Sequence, residues 1–429
     1  MHSKEADSSL KSGIFSGFAD TKGVRKLMLF DLSVGGHHPA YIQHLLRYWC
    51  EQELPGKLEI VVLPKFMQQH SDVVDIAFSC PQKNINFVAI TSEEETVLKS
   101  RNSSLNRAFR AFQEWHLLCK YAASLEVDQC LIMYFDTCEL PLALGSRLPC
   151  PFSSIYFRPT FHYYDFANYM PSRKERLQQW REKFSMSRIL HHPQLQTLFC
   201  LDPFVTKHID KFHSKVRAVH LPDPVQISSG SEFNLEKLRE SLGIDPDKQV
   251  FLLFGSLTDR RKGIHQLLEA ISILPATLCQ KLCLVLAGEA DPIERVPLES
   301  QIAAVCQTQP VQIIGHYEFI PEPDVNAYFQ LADVVLTPYQ RHVGMSGILL
   351  LAAAAQKPVL SSNYGLMGEI VQRYSLGLTV DSTVPGEIAK GLTRLLLESP
   401  KELCDYTKMN KFVEQNSAEE FARVIFKYI

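Results

Sequence analysis

The chain has 429 residues, 46% hydrophobic and 21% charged, with a formal net charge of −3. That is enough for two or three domains with sizeable cores, and the near-neutral balance excludes a whole-molecule field that would recruit nucleic acid. No apolar run approaches the roughly 18 residues that a bilayer span needs, and the 11 cysteines include no C-x-x-C pair, which predicts buried, reduced thiols.

Residues 1–24 are read as a flexible leader. The stretch Met1–Asp20 is polar and has no apolar core of a secretory signal, which predicts a cytoplasmic protein. From there, short apolar runs alternate with segments of helical period. Strands are expected at Leu27–Leu32, Leu58–Leu63, Asn86–Ile90, Gln129–Met133, Ser153–Phe157, Thr197–Cys200 and Val216–His220. A second series is expected at Val250–Leu253, Leu282–Leu286, Val311–Ile314, Val334–Leu336, Val359–Leu360 and Leu378–Val380. Ile264, Leu267, Leu268 and Ile271 illustrate the helical spacing between them. This alternation predicts parallel sheets covered on both faces.

The prolines of Leu221-Pro222-Asp223-Pro224 forbid continuous helix or central strand, so a hinge is expected there, extended by the polar run Ser228–Phe233. The chain then divides into an N-terminal Rossmann-like domain, residues 25–222, and a C-terminal one, residues 223–408. Residues 409–429, with Phe421, Val424, Ile425 and Tyr428 at helical spacing, are expected to form a helix crossing back to the N-terminal domain. The fold class is α/β: two doubly wound domains facing one another across a cleft, with ligands at the carboxyl ends of the strands.

The most informative stretch runs from Thr337 to Val371. A buried strand leads into Gly344-Met345-Ser346-Gly347, a Leu- and Ala-rich helix, Lys357-Pro358, a second strand and Gly365 with Glu369. Strand, glycine turn and helix N-terminus together make an anion site, because the first helical N–H groups lack partners and the dipole end is positive.

The ordered succession of motifs in the second half resembles the retaining glycosyltransferases of family 4, which have the two-Rossmann GT-B fold. Phe254-Gly255-Ser256-Leu257 through Arg260-Arg261-Lys262-Gly263 looks like that family's glycine turn followed by Lys-Gly. Leu284–Gly288, Gly315, Val325–Asp333, the Gly344–Gly347 loop, Lys357-Pro358-Val359 and Gly365 to Glu369 follow in the family's order. Leu221–Val225 looks like its inter-domain turn. Before Leu221 the main point of contact is Ser33-Val34-Gly35-Gly36-His37-His38. One departure stands out: the family's two glutamates, separated by seven residues, align with Val343 and Leu351, making this a divergent member of the pattern. Leucine cannot accept a hydrogen bond from a ribose hydroxyl, and a buried hydroxyl left unpaired costs about 1–3 kcal/mol.

The resemblance implies a transfer of sugar from a nucleotide donor, UDP- or GDP-linked, to a hydroxyl acceptor, with retention at the anomeric carbon and without a metal or other cofactor. Lys262 would neutralise the donor diphosphate, and Arg261 or Arg260 would supply a second cation; Ser256 stands where arginine is common. A solvated basic turn is the bland alternative, but cations at a helix N-terminus are locally unfavourable and call for an anion. Gly344, Met345, Ser346 and Gly347 would present main-chain N–H groups to the phosphates. Glu369, at an expected helix start, would stand near the ribose or sugar, against the alternative of a structural first-turn glutamate.

Gly35 and Gly36 allow close approach of backbone to the ligand. His37 has a pKa range suited to proton handling and His38 is a contact for the acceptor. Asp136 and Glu139, after the strand Gln129–Met133, and Arg158, in the segment containing His162, are candidates to orient that acceptor. Helix capping is an equal reading for the two carboxylates.

The acceptor class stays open among glycan, lipid and small molecule. Ser172–Leu190 is basic and amphipathic, of the kind that lies on an anionic membrane surface or covers a domain with a solvated face, and Arg101–Arg110 is a second basic patch. Asn102-Ser103-Ser104 is a chance sequon in a cytoplasmic chain. Two other readings share the fold: a non-catalytic scaffold or binding subunit, favoured by the missing glutamates, and another GT-B enzyme such as a sugar-nucleotide epimerase or a glycan phosphorylase.

Overall fold

A computed structural model of the chain describes residues 24–98, 103–166, 169–224, 234–257 and 260–429. The expected leader, the sequon at Asn102, the polar run from Ser228 and the last residue of the Leu221–Val225 turn lie outside the described residues, apart from Val24 at the leader's end.

The first sheet contains β1 (Lys26–Phe30), β2 (Lys57–Val62), β3 (Ile85–Ala89), β4 (Gln129–Ile132), β5 (Phe152–Tyr156), β6 (Leu195–Cys200) and β7 (Arg217–His220). Their order is β3-β2-β1-β4-β5-β6-β7, all parallel. The second contains β8 (Gln249–Phe254), β9 (Leu282–Ala287), β10 (Gln312–His316), β11 (Val334–Thr337), β12 (Val359–Ser362) and β13 (Gly377–Val380). It is also parallel, in the order β10-β9-β8-β11-β12-β13. Each sheet therefore reverses its strand order once, at β1/β4 and at β8/β11, the doubly wound arrangement. The central strands are largely apolar because both faces are covered: every residue of β9 is buried, whereas the edge strand β7 keeps Arg217 and His220 exposed.

The helices that matter below are α1 (His38–Glu51), α2 (Ser104–Ser124), α3 (Glu139–Ala143), α4 (Arg173–Ile189), α5 (Ile264–Ser272), α6 (Gly347–Ala354), α7 (Gly365–Arg373) and α8 (Ala418–Tyr428). In the second core, α5 turns Leu267, Leu268 and Ile271 onto Phe251, Leu284 and Leu336. In the first core, α8 buries Phe421, Ala422 and Ile425 with Tyr41, Leu45 and Trp49. The Thr197 hydroxyl donates to the carbonyl of Tyr428 at 3.0 Å and ties down the end of α8. None of the 11 cysteines is in a disulfide.

The described residues divide into two compact units. One takes the chain up to Phe157, Arg181–Leu221 and Glu419–Ile429; the other takes Arg158–Trp180 and Pro222–Ala418. Residues 158–180, expected with the N-terminal domain, thus group with the second sheet, and residues 409–418 stay with it too. The physical reason is a set of long-range contacts. Tyr169 packs its ring 5.1 Å from that of Tyr364, and Glu175 binds Arg341 and Tyr364.

Candidate functional site

At β8/β11 the second sheet reverses its order, where such sheets leave a crevice at their carboxyl edge. The two strands pair only at Phe251–Val334 and Leu252–Val335. Beyond that, β8 stays with β9 as far as Phe254, and β11 stays with β12 as far as Thr337. The strands part over their last two residues, and Lys262 bridges the gap. Its ammonium donates to the Phe254 carbonyl and to the Tyr339 hydroxyl, 2.7 Å in each case, and lies 4.5 Å from the centre of the Tyr339 ring.

Two glycines make this turn sterically feasible. Gly255 has φ +107°, and a Cβ there would stand 2.7 Å from the Lys262 ammonium. Gly263 has φ +70°, and a Cβ there would stand 2.2 Å from the Pro338 carbonyl oxygen. The loop after β11 is stitched to the same turn. The Gln340 main-chain N–H donates to the Arg261 carbonyl at 2.7 Å, the Gln340 side chain donates to the Ser382 carbonyl at 2.7 Å, and the Ser382 hydroxyl donates to the Tyr339 carbonyl at 2.9 Å. The Thr337 hydroxyl, at the mouth of the splay, is buried without a hydrogen-bond partner. A fixed ammonium beside loosened main chain is suited to meet negative charge.

Of the other residues expected around the donor, Ser256 and Arg261 are exposed. Arg260 begins a single 3₁₀ turn ending at Lys262, and its side chain lies outside the described part. Gly344 has φ +97°, and its main-chain N–H donates to the buried Tyr163 hydroxyl at 3.2 Å. Met345 is half-buried. Ser346 is the residue before α6 and makes no side-chain cap bond, and a Cβ on Gly347 would meet nothing within 4 Å. Val343 and Leu351 are half-buried. Glu369 is half-buried in α7, which has no acidic residue in its first turn. It is therefore not a first-turn glutamate: the helix starts at Gly365, one turn earlier than that reading needs.

Sequence reasoning missed the partners that shape this region. Arg341 (φ +48°) donates from Nε to Glu175 at 3.1 Å, from a second guanidinium nitrogen to the other carboxylate oxygen, and to the Met170 carbonyl at 3.1 Å. The Tyr364 hydroxyl donates to the same carboxylate at 2.6 Å. Partial burial would raise the Glu175 carboxyl, but hydrogen bonds from Arg341, Tyr364 and Ser172 outweigh it and hold the carboxyl down at about 2. A fork-on-carboxylate pair of this kind fixes the loop's geometry.

In the first unit the corresponding switch lies at β1/β4. Asp31, just past β1, is buried and accepts the His38 ring Nδ1 contact at 2.6 Å and the Ser33 main-chain N–H at 2.9 Å. His38 is buried at the start of α1. Exposed His37 stacks on it at 4.7 Å and on Phe157 at 4.8 Å. Gly35 and Gly36 are exposed, Gly36 with φ +69°. An open cavity of ≈400 Å³ is lined by Ser33, Val34, Gly35, His38, Arg110 and Tyr134. A carboxylate on Nδ1 places the neutral ring's proton there and leaves Nε2 as an acceptor. Asp31 was also missed; an acidic residue between a strand end and Gly35-Gly36 is the only sequence signal for it.

Asp136 accepts the Phe157 main-chain N–H at 3.1 Å, tying the end of β5 to the turn after β4. Glu139 begins α3. Burial, with the Glu182 and Asp136 carboxylates adding to it, pushes the Glu139 carboxyl up to about 8, against the pull of Arg181. Arg158 is exposed and is grouped with the second unit, whereas Asp136 and Glu139 belong to the first. The Glu139 shift has a stability consequence. Between its ordinary value of 4.5 and about 8 the folded chain keeps a proton that the unfolded chain has released. Stability therefore falls as pH rises through that window, by at most about 1.4 kcal/mol per pH unit. Glu139→Gln should flatten the dependence of the thermal midpoint between pH 5 and 8; parallel profiles for the two proteins would refute the assignment.

Among the described residues no group of three His, Cys, Asp or Glu side chains could hold a metal ion, and no helix is long and apolar enough to cross a membrane.

Comparison with known proteins adds the following. Residues 234–425 match the family model of glycosyl transferases group 1. An uncharacterized glycosyltransferase of Methanocaldococcus jannaschii, MJ1607, is 30% identical over 158 residues, 37% of this chain and 38% of that protein. A second from the same organism, MJ1069, is 21% identical over 206 residues, 46% and 51% of the two chains. The chain spans about half the length, or less, of the curated relatives it matches. The crystal structure of Anabaena Alr3699/HepE in complex with UDP and glucose superposes with a TM-score of 0.63 at 13% identity, covering 94% of this chain and 98% of that one. At that identity the likeness concerns the fold. The chain is a GT-B protein with two Rossmann-like units, and its second half matches the group 1 glycosyl transferases.

Proposed function

We propose that this protein transfers a hexose-like glycosyl group from a nucleotide-sugar donor to a hydroxyl acceptor. The observation that carries the reading is the Lys262 ammonium held across the parted ends of β8 and β11. Cleavage of the sugar–phosphate bond leaves charge on the diphosphate oxygen, and a fixed cation there lowers the barrier. In this reading the second unit binds the donor. Lys262 and Arg261 face the diphosphate, assisted by Arg260, Ser256 and main-chain N–H groups from Met345 to Gly347, while the Gly344 N–H is taken by the Tyr163 hydroxyl, and Glu369 stands near the ribose. With Val343 and Leu351 in place of acidic partners, donor affinity is reduced by about ten- to a hundredfold rather than abolished. A uridine or guanosine diphosphate is the expected carrier, and the UDP complex of the Anabaena neighbour favours uridine.

The first unit binds the acceptor through His38 and Gly35, which line its cavity, with exposed Gly36 and His37 next to them in the chain and Asp136 and Glu139 at the next strand end. The family resemblance argues for retention and for a leaving phosphate that takes up the acceptor proton. A second reading is favoured by one observation, the buried Asp31–His38 pair. An imidazole so held accepts the acceptor's proton at Nε2 while the oxygen attacks the anomeric carbon from the side opposite the diphosphate, which gives inversion.

The test has two stages. Thermal shift against UDP, GDP, ADP and inorganic phosphate should show stabilisation by one nucleoside diphosphate. The anomeric configuration of the first product, read by proton NMR, then separates the two stereochemical readings. Absence of any nucleotide response would overturn the transferase assignment in favour of a non-catalytic scaffold. Nucleotide response with rearranged donor and no acceptor product would favour an epimerase, and response to phosphate alone a phosphorylase.

A further inference from the structure

Helix α4 presents an outward face that the transferase chemistry does not use. At 100° per residue, Leu177, Trp180 and Phe184 fall with Arg173, Arg181 and Arg188 inside an arc of about 100°. The three apolar members are exposed: 59% for Leu177, 66% for Trp180 and 58% for Phe184. The opposite side of the helix carries the buried Met186 and Ile189. It also carries the helix's two carboxylates, and both are engaged inward. Glu175 is bound by Arg341, Tyr364 and Ser172, and Glu182 accepts the Tyr156 hydroxyl. The acidic residues therefore do not offset the arginines on the outer face.

The surroundings continue the pattern. Strand order in the first sheet reverses after β3, so the connections leading to β4, β5 and β6 all run the same way. Right-handed crossovers then place α2, α3 and α4 on one face of that sheet. α2 packs on α3, and Glu139 of α3 feels the charges of Arg181 and Glu182 in α4. On that face Phe109 of α2 and Leu144, just past α3, are also exposed.

We propose that the outer face of α4 docks the protein onto an anionic lipid bilayer. Tryptophan and phenylalanine place rings at the headgroup boundary, and arginines reach acidic headgroups while their stems cover apolar surface. Exposed large apolar side chains interleaved with a single sign of charge match that occupant's two components, a shallow hydrocarbon layer beneath fixed negative charge.

The experiment is co-sedimentation of the full chain with vesicles of phosphatidylcholine alone or mixed with phosphatidylglycerol. Binding to the mixed vesicles should be at least about tenfold stronger and should fall as salt is raised. Trp180 fluorescence should shift to the blue on binding. Trp180→Ser with Phe184→Ser should abolish binding, and Arg181→Gln with Arg188→Gln should remove the preference for anionic vesicles. Because all four residues are substituted on an exposed face, unchanged thermal midpoints are expected, and the arginine pair retains the test if the apolar pair misfolds. Equal binding to both vesicles, no binding, or binding unaltered in the variants would overturn the proposal. Loss of self-association in the apolar pair, without vesicle binding in the parent chain, would assign the face to a second copy instead.

Discussion

Lys262→Ala should lower kcat/KM by about a hundred- to a thousandfold and erase the thermal response to a nucleoside diphosphate. The magnitude follows from the geometry. The Lys262 ammonium is the charge that joins the parted strand ends, through the Phe254 carbonyl and the Tyr339 hydroxyl at 2.7 Å each. Alanine leaves both acceptors without that donor and removes the fixed charge, while Gly255 and Gly263 keep the backbone path. Arginine is a poor rescue. Gly255 already lies so near the ammonium that a single Cβ would stand 2.7 Å from it, so a planar fork does not fit without rearrangement. Tyr339→Phe, which removes one partner and leaves the charge, should cost far less. A Lys262→Ala protein that still melts later with nucleotide would sink the diphosphate assignment, whatever its turnover.

On the inverting reading, Asp31→Asn should reduce kcat by about a hundredfold or more while leaving the nucleotide thermal shift intact, because Asp31 belongs to the unit read as binding the acceptor. The carboxylate sits 2.6 Å from the His38 ring Nδ1 and is itself fixed by the Ser33 N–H at 2.9 Å. An asparagine amide can donate to Nδ1, which moves the ring proton to Nε2 and removes the acceptor from the cavity side. The split between kcat and KM separates this from a packing defect: kcat should fall while the acceptor KM and the thermal midpoint of the free protein stay close to the parent's. A variant with a lowered midpoint and only a modest loss of rate would show that the pair is structural. In that case the leaving phosphate takes the proton, and the product should retain its anomeric configuration.

Most of the architecture was legible in the chain. Each expected strand lies within a residue or two of an observed one, from Leu27–Leu32 against Lys26–Phe30 to Leu378–Val380 against Gly377–Val380. Strands covered on both faces are mostly apolar, with a few small polar residues such as Ser153 and Ser154 in β5, so they stand out locally. The Gly255 to Gly263 turn was legible for the same kind of reason: a positive φ and a close backbone approach select glycine at the position itself. Tertiary structure alone decided what those residues meet. Lys262 and Tyr339 are 77 residues apart, Tyr163 and Gly344 are 181 apart, and Arg341 and Glu175 are 166 apart. No local propensity encodes such pairs, because their free energy is realised only when packing brings distant segments together. The excursion of residues 158–180 to the second unit has that origin, as does the selection of His38 rather than His37 as the buried partner of Asp31.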